Sequence, residues 1–207
     1  MEFQILNKEQ EILLPHLKVF SRNFYLVGGT AISLYLGYRR SIDFDLFSYS
    51  GLNKKLIKEK IKSLKIPSKV IFEDSEQIHF IVNHVKLTFF HYPFKIEHKK
   101  RIKQIISMPN LLDLASMKAY ALGHRAKWKD YVDLYKIINY QYSVKEISNR
   151  ATEIFKDMFS EKIFRTQLAY FDDIDYSEEI DYLVPEIPKQ LILDFLRDKS
   201  TEILPVS

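Results

Sequence analysis

The 207-residue chain has no cysteine, which excludes disulfides and thiolate metal sites and fits a reducing, cytoplasmic setting. No apolar run approaches the roughly 20 residues needed to cross a bilayer. The opening MEFQILNKEQEILL lacks the basic-then-apolar order of a signal peptide, so no membrane role is expected. Glycine is scarce at 5 residues and tryptophan occurs once. Rings are plentiful instead: 15 Phe and 13 Tyr, with 46% hydrophobic and 28% charged residues, are enough to bury a sizeable core. The net charge of +4 is unevenly spread. Residues 161–207 hold 11 acidic and 5 basic side chains, which leaves +10 on residues 1–160. A basic body suits a polyanionic partner; the bland reading is a lysine-solvated surface.

Against that scarcity, two adjacent glycines stand out. In FYLVGGTAISLYLGYRRSIDFDLF, Gly28 and Gly29 follow a short apolar run that reads as a buried strand. A helix over TAISLYLGYRR follows, with Thr30 as its N-cap and Gly37 at its end. IDFDLF then alternates, putting Ile42, Phe44 and Leu46 on one face and Asp43 and Asp45 on the other. Taken singly, Gly-Gly is a turn and Asp-x-Asp a solvated strand face. Together, with 12 residues between Thr30 and Asp43, they form a proposal. Glycines admit close approach to the backbone, a helix start offers N–H groups and a Thr hydroxyl to phosphate, and two carboxylates supply hard oxygen ligands for Mg²⁺.

Elsewhere, Asn7–Arg22 has helical spacing broken or kinked at Pro15. Leu52–Lys65 reads as a basic amphipathic helix with Leu56, Ile57, Ile61 and Leu64 inward. SKVIFED, QIHFIVNH and VKLTFFHY read as an antiparallel meander, and FKIEHKKRIKQI as a charged connector. After Pro109 the pattern is helical, with helices near Leu111–Leu122, Trp128–Tyr140, Val144–Asp157, Glu161–Tyr170 and Pro188–Lys199. The composition change places a boundary near residue 105, giving domains 1–105 and 106–207. His79, His84, His91 and His98 lack metal-ligand spacing, and Trp128 reads as a core anchor. The basic runs NKKLIKEKIKSLK and KIEHKKRIK are solvated faces or a nucleic-acid track.

The Gly-Gly-Thr…Asp-x-Asp stretch resembles the signature of the polymerase-β-type minimal nucleotidyltransferase fold. More narrowly, it is similar to the AbiEii-type nucleotidyltransferase family, which includes toxins of type IV toxin–antitoxin pairs. Tyr38 replaces that pattern's usual His, while Arg39 and Ser41 stand near their expected places. LLDLASMKAYALGHRAKWKDYVDLYKII is similar to the family's second block, with Asp113, Lys118, Arg125, Lys129, Asp130 and Asp133 at its charged positions. The resemblance spans roughly residues 20–140. It implies an α+β fold: an N-terminal nucleotidyltransferase domain with a mixed central sheet flanked by helices, then a C-terminal helical bundle.

It also implies transfer of NMP from an NTP to a hydroxyl acceptor, with RNA, particularly tRNA-like ends, as the acceptor and an antitoxin as partner. Gly28, Gly29 and Thr30 would hold the triphosphate, Asp43 and Asp45 Mg²⁺ or Mn²⁺, and Lys118 and Arg125 the phosphate charge. The third carboxylate common in this fold is expected on VKLTFFHYP, where Thr88 stands instead. Asp130 is the substitute considered for the base, with Asp133 structural and paired to Arg125 or Lys129. Asp113 reads as a helix N-terminal residue. An interhelix salt-bridge network among Lys118, Arg125, Asp130 and Asp133 is the structural alternative. The functional alternatives are a non-catalytic nucleotide- or RNA-binding module, a protein-modifying nucleotidyltransferase, and an interaction protein docking through its acidic end.

Overall fold

Only three residues, Tyr25–Val27, form the first strand, β1, yet all three are buried. They can be central because strands flank them on both sides. The computed structural model describes residues 1–202, which fall into two compact units, the first ending at Asn110 and the second beginning at Leu111. In the first unit β1 lies in a seven-stranded mixed sheet with β2 (Asp43–Ser48), β3 (Ser68–Glu73), β4 (Gln77–Val82), β5 (Val85–His91), β6 (Lys100–Ile102) and β7 (Ile106–Met108). The order is β3-β4-β5-β2-β1-β7-β6. β2 is parallel to β5 and antiparallel to β1, while β1 is parallel to β7. The expected meander of β3, β4 and β5 is present and antiparallel. β6 and β7 lie where a connector was expected; β7 is buried beside β1, so the sheet continues past residue 105.

One sheet face carries the core. Phe80, Leu87 and Phe89 alternate inward, and Phe20 and Phe24 pack edge-on against Phe89 with ring centroids 4.8 and 5.1 Å away. The N-terminal segment supplies Phe20 through α1 (Lys8–Leu13), capped reciprocally by Asn7 and Gln10, and a tighter 3₁₀ stretch at Leu14–Phe20 that begins where Pro15 intervenes. α2 (Gly28–Leu36) packs on β1 and β2 and ends at Gly37, whose φ of +68° terminates it. In α3 (Lys54–Ser63) Ile57 and Ile61 are buried, but Leu56 is exposed and Leu64 lies beyond the helix. Ile42 is also exposed, at 59%, because β2 begins one residue later.

The second unit is helical: α4 (Leu111–Leu122), α5 (Trp128–Tyr140), α6 (Val144–Phe155), α7 (Glu161–Ala169) and α8 (Lys189–Thr201). α4 packs on α5 and α6, and α8 on α5 and α7. Tyr120 stacks on Phe155 at 4.3 Å and Tyr135 meets Phe195 at 4.9 Å. Trp128 packs against Tyr176, with its ring also facing Lys189, so it serves packing within this unit. Among the described residues no helix is long and apolar enough to cross a membrane.

Candidate active site

The glycine turn and the two aspartates meet within the first unit. Gly28 has φ +73°, the left-handed region that side chains disfavour, and a Cβ there would collide with the Asp45 carboxylate. A Cβ on Gly29 would sit 2.5 Å from Arg39 Nη2 and 2.9 Å from Ser41 Oγ. The turn is thus flanked by a carboxylate on one side and a guanidinium on the other. Arg39 is buried, donating from Nε to Tyr38 Oη at 3.1 Å and from Nη1 to the Arg40 carbonyl at 3.0 Å. The sequence offered its place in the motif but no sign of its burial.

Thr30 differs from expectation. The helix begins at Gly28, so Thr30 is its third residue and not its cap. Its hydroxyl is buried and donates to the Asp43 carbonyl at 2.5 Å and the Ser41 carbonyl at 3.3 Å. That bond ties the start of β2 to α2 and sets where Asp43 begins; it does not present the hydroxyl to a phosphate. Buried Gln10 reinforces the tie, donating from Nε2 to the Ser41 carbonyl at 2.7 Å.

Asp43 and Asp45 alternate with buried Phe44 and Leu46, so both project from the sheet face opposite the core. On β5, Lys86 stands in register with Asp43 and Thr88 with Asp45. The row continues through His79 on β4 and Phe72 on β3. Thr88 therefore occupies the neighbouring position where a third carboxylate was sought, and its Oγ1 is buried without a hydrogen-bond partner among the described residues. His79 Nε2 lies 2.8 Å from Gln77 Oε1. Its proton affinity is lowered by burial and then by the Lys86 charge, against the opposing pull of Asp74 and Asp43.

Among the described residues no group of three or more His, Asp or Glu side chains could hold a metal ion. Two other histidines have side-chain partners: His91 faces Glu76 at 2.5 Å, and His98 meets Ser107 Oγ at 3.0 Å while stacking on Tyr25. The Asp43–Asp45 pair fits Mg²⁺ as the donor set it prefers, one or two carboxylates completed by water and substrate phosphates.

In the second unit, α4 and α5 bring Lys118 between two aspartates. Its ammonium pairs with Asp130 and, at 2.9 Å, with Asp133, while Arg125 Nε donates to Asp130 Oδ2 at 3.1 Å. Lys118 is 8% exposed and Asp133 0%. Asp133 thus pairs with Lys118 and not with Arg125 or Lys129, because one helical turn puts both aspartates on the α5 face toward α4; Lys129 instead pairs with Glu178. Asp113, the third residue of α4, is fully buried and takes a 2.5 Å bond from Arg150 Nε on α6. That pairing across 37 residues was not visible in the sequence.

The family model described as nucleotidyl transferase AbiEii toxin of type IV toxin–antitoxin systems matches residues 13–202. An uncharacterized protein of Aquifex aeolicus (strain VF5) is 29% identical over 179 residues, covering 81% of this chain and 84% of that protein. Among solved structures, the nucleotidyltransferase toxin MenT4 of Mycobacterium tuberculosis H37Rv is similar with a TM-score of 0.64 at 11% identity, over 93% of this chain and 82% of that one. JHP933 of Helicobacter pylori is similar with a TM-score of 0.53 at 13% identity, over 94% of each chain. At these identities the structural matches speak for the fold.

Proposed function

The chain belongs to the AbiEii family of nucleotidyltransferase toxins of type IV toxin–antitoxin systems, and from that premise we propose that it transfers NMP from an NTP to an RNA hydroxyl, releasing pyrophosphate. The observation that carries the reading is the Gly28 backbone held against the Asp45 carboxylate, with Asp43 on the same face. It sets the bare backbone at the start of α2 directly against one of two hard oxygen ligands that share a strand face. An RNA acceptor is supported by the +10 charge on residues 1–160.

In this mechanism the N–H groups at the start of α2 and the Arg39 charge behind Gly29 draw the triphosphate to the turn. Thr30 and Gln10 hold the entry of β2 so that Asp43 and Asp45 keep their spacing. Asp43 and Asp45 would hold Mg²⁺, which when bound supplies Lewis-acid polarisation of the α-phosphate. The proposal keeps Lys118 and Arg125 as cations that offset phosphate charge, and Asp130 as the acceptor of the attacking hydroxyl's proton. A cognate antitoxin partner and a cytoplasmic setting belong to the same reading.

The test is incubation with each α-labelled NTP, Mg²⁺ and total RNA. Label that ribonuclease removes supports the proposal. Label that only protease removes points to a protein acceptor. No label with any NTP points to a binding module.

A further inference from the structure

The sheet face that carries Asp43 and Asp45 does not end at them. It runs outward through Lys86 and Thr88 on β5 and His79 and Ile81 on β4 to Lys69 and Phe72 on β3. The other face of the same strands is core, with Ile78, Phe80, Val82, Leu87 and Phe89 buried. The outward face is half open, and at its rim every residue of β3 is exposed. Phe72 leaves 45% of its surface in water while its ring lies 5.2 Å from that of His79. An exposed ring on an edge strand, set against a half-buried ring on the next strand, is not explained by packing.

We propose that this face is the acceptor track: it binds the single-stranded end of a polynucleotide, with a base against the Phe72–His79 ring pair and phosphates on Lys69 and Lys86. The inference rests on the nucleotidyl-transfer reading for its direction, with the strand end leading toward Asp43 and Asp45. Three features favour a polynucleotide. Rings at the rim offer a stacking platform that any base can use, and cations interleave with them. Lys86 stands in register with Asp43, so a cation lies where the last phosphate would pass before the transfer site. The carboxylates at the end of β3 are engaged elsewhere: Glu73, in register with core-facing Ile78, pairs with Lys58, and Asp74 is turned into its own loop, accepting from the Glu76 and Gln77 N–H groups and from Gln77 Nε2. From β2 to β3 is three strand spacings, roughly 14 Å, room for a few stretched nucleotides. The lowered proton affinity of His79 favours a neutral, stacking ring.

The test is fluorescence anisotropy of a labelled single-stranded RNA oligonucleotide, with NTP affinity and melting temperature measured alongside. Phe72→Ala is expected to weaken RNA binding about 5- to 100-fold and leave NTP affinity unchanged. Lys69→Ala is expected to reduce the slope of log K against log salt by about 0.7. Val70→Ala, on the core side of the same strand opposite Phe80, is expected to alter neither. RNA binding within about twofold of wild type in Phe72→Ala overturns the track. A dimer that Phe72→Ala dissolves also overturns it, because β3 is then an interface between copies. If wild type labels only protein, the track fails while nucleotidyl transfer stands. If RNA binds through Phe72 and nothing is labelled, the track stands as a binding surface and the transfer reading fails.

Discussion

Gly28→Ala probes the turn and the carboxylate in one substitution. Alanine must adopt φ near +73°, which costs an L residue about 1–2 kcal/mol. For a chain of this size each kcal/mol moves the melting temperature by about 2–4 °C, so strain alone predicts a fall of roughly 2–8 °C. The new methyl also cannot coexist with Asp45 Oδ2 in its present place, so the Asp45 carboxylate must swing away from Gly28. A displacement of about 1 Å at a reacting centre can cost about 100-fold in rate. The account therefore predicts a modest loss of stability with at least about a 100-fold loss of transfer. Circular dichroism melting and labelling of RNA from an α-labelled NTP read the two effects separately. In Gly28→Ala/Asp45→Ala the collision is gone and only the strain remains, so the two stability costs should be less than additive. Transfer within about threefold of wild type in Gly28→Ala would refute the reasoning.

Other substitutions test particular contacts. Thr88→Val removes a buried hydroxyl that lacks a partner among the described residues and is expected to stabilise the protein by about 1 kcal/mol in urea titration; a comparable loss would show that the hydroxyl is engaged. Arg150→Ala removes the Arg150–Asp113 pair and is expected to cost about 3 kcal/mol in the same assay, the scale of a broken buried pair; a cost under about 0.5 would remove that pair from the account. Asp130→Asn is expected to lower transfer by about 10²–10⁴-fold at matched folded fractions, the worth of general-base assistance, while Asp133→Asn, whose carboxylate is fully buried, chiefly lowers the melting temperature. The reverse pattern would exchange the two roles.

The sequence made legible whatever a local period or a cap determines. The Asp-x-Asp face followed from alternation with Phe44 and Leu46, and both are buried. α4 and α5 follow long periodic runs, and Gly37 ends α2 in the left-handed region. The misses are tertiary or too short to show a period. β6 and β7 have three residues each, and β6 carries Lys100 and Arg101 at the sheet's edge. Thr30 looked like a cap because its hydroxyl's use depends on β2, 13 residues away. Arg39 stands near its expected place in the motif, but nothing local shows that the fold buries it behind Gly29. In α3 the apolar spacing was right for Ile57 and Ile61, but Leu56 is exposed and the helix stops two residues short of the expected Leu52–Lys65 at each end.

The central claim is that Asp43 and Asp45 carry nucleotidyl transfer. Its most direct measurement is single-turnover transfer from an α-labelled NTP to the RNA acceptor in Mg²⁺, comparing wild type with Asp43→Asn and Asp45→Asn at matched folded fractions. Each substitution keeps the side chain's shape and removes a ligand charge. The account predicts label on RNA with wild type and none above background with either variant. Transfer within about threefold of wild type in both variants would contradict it.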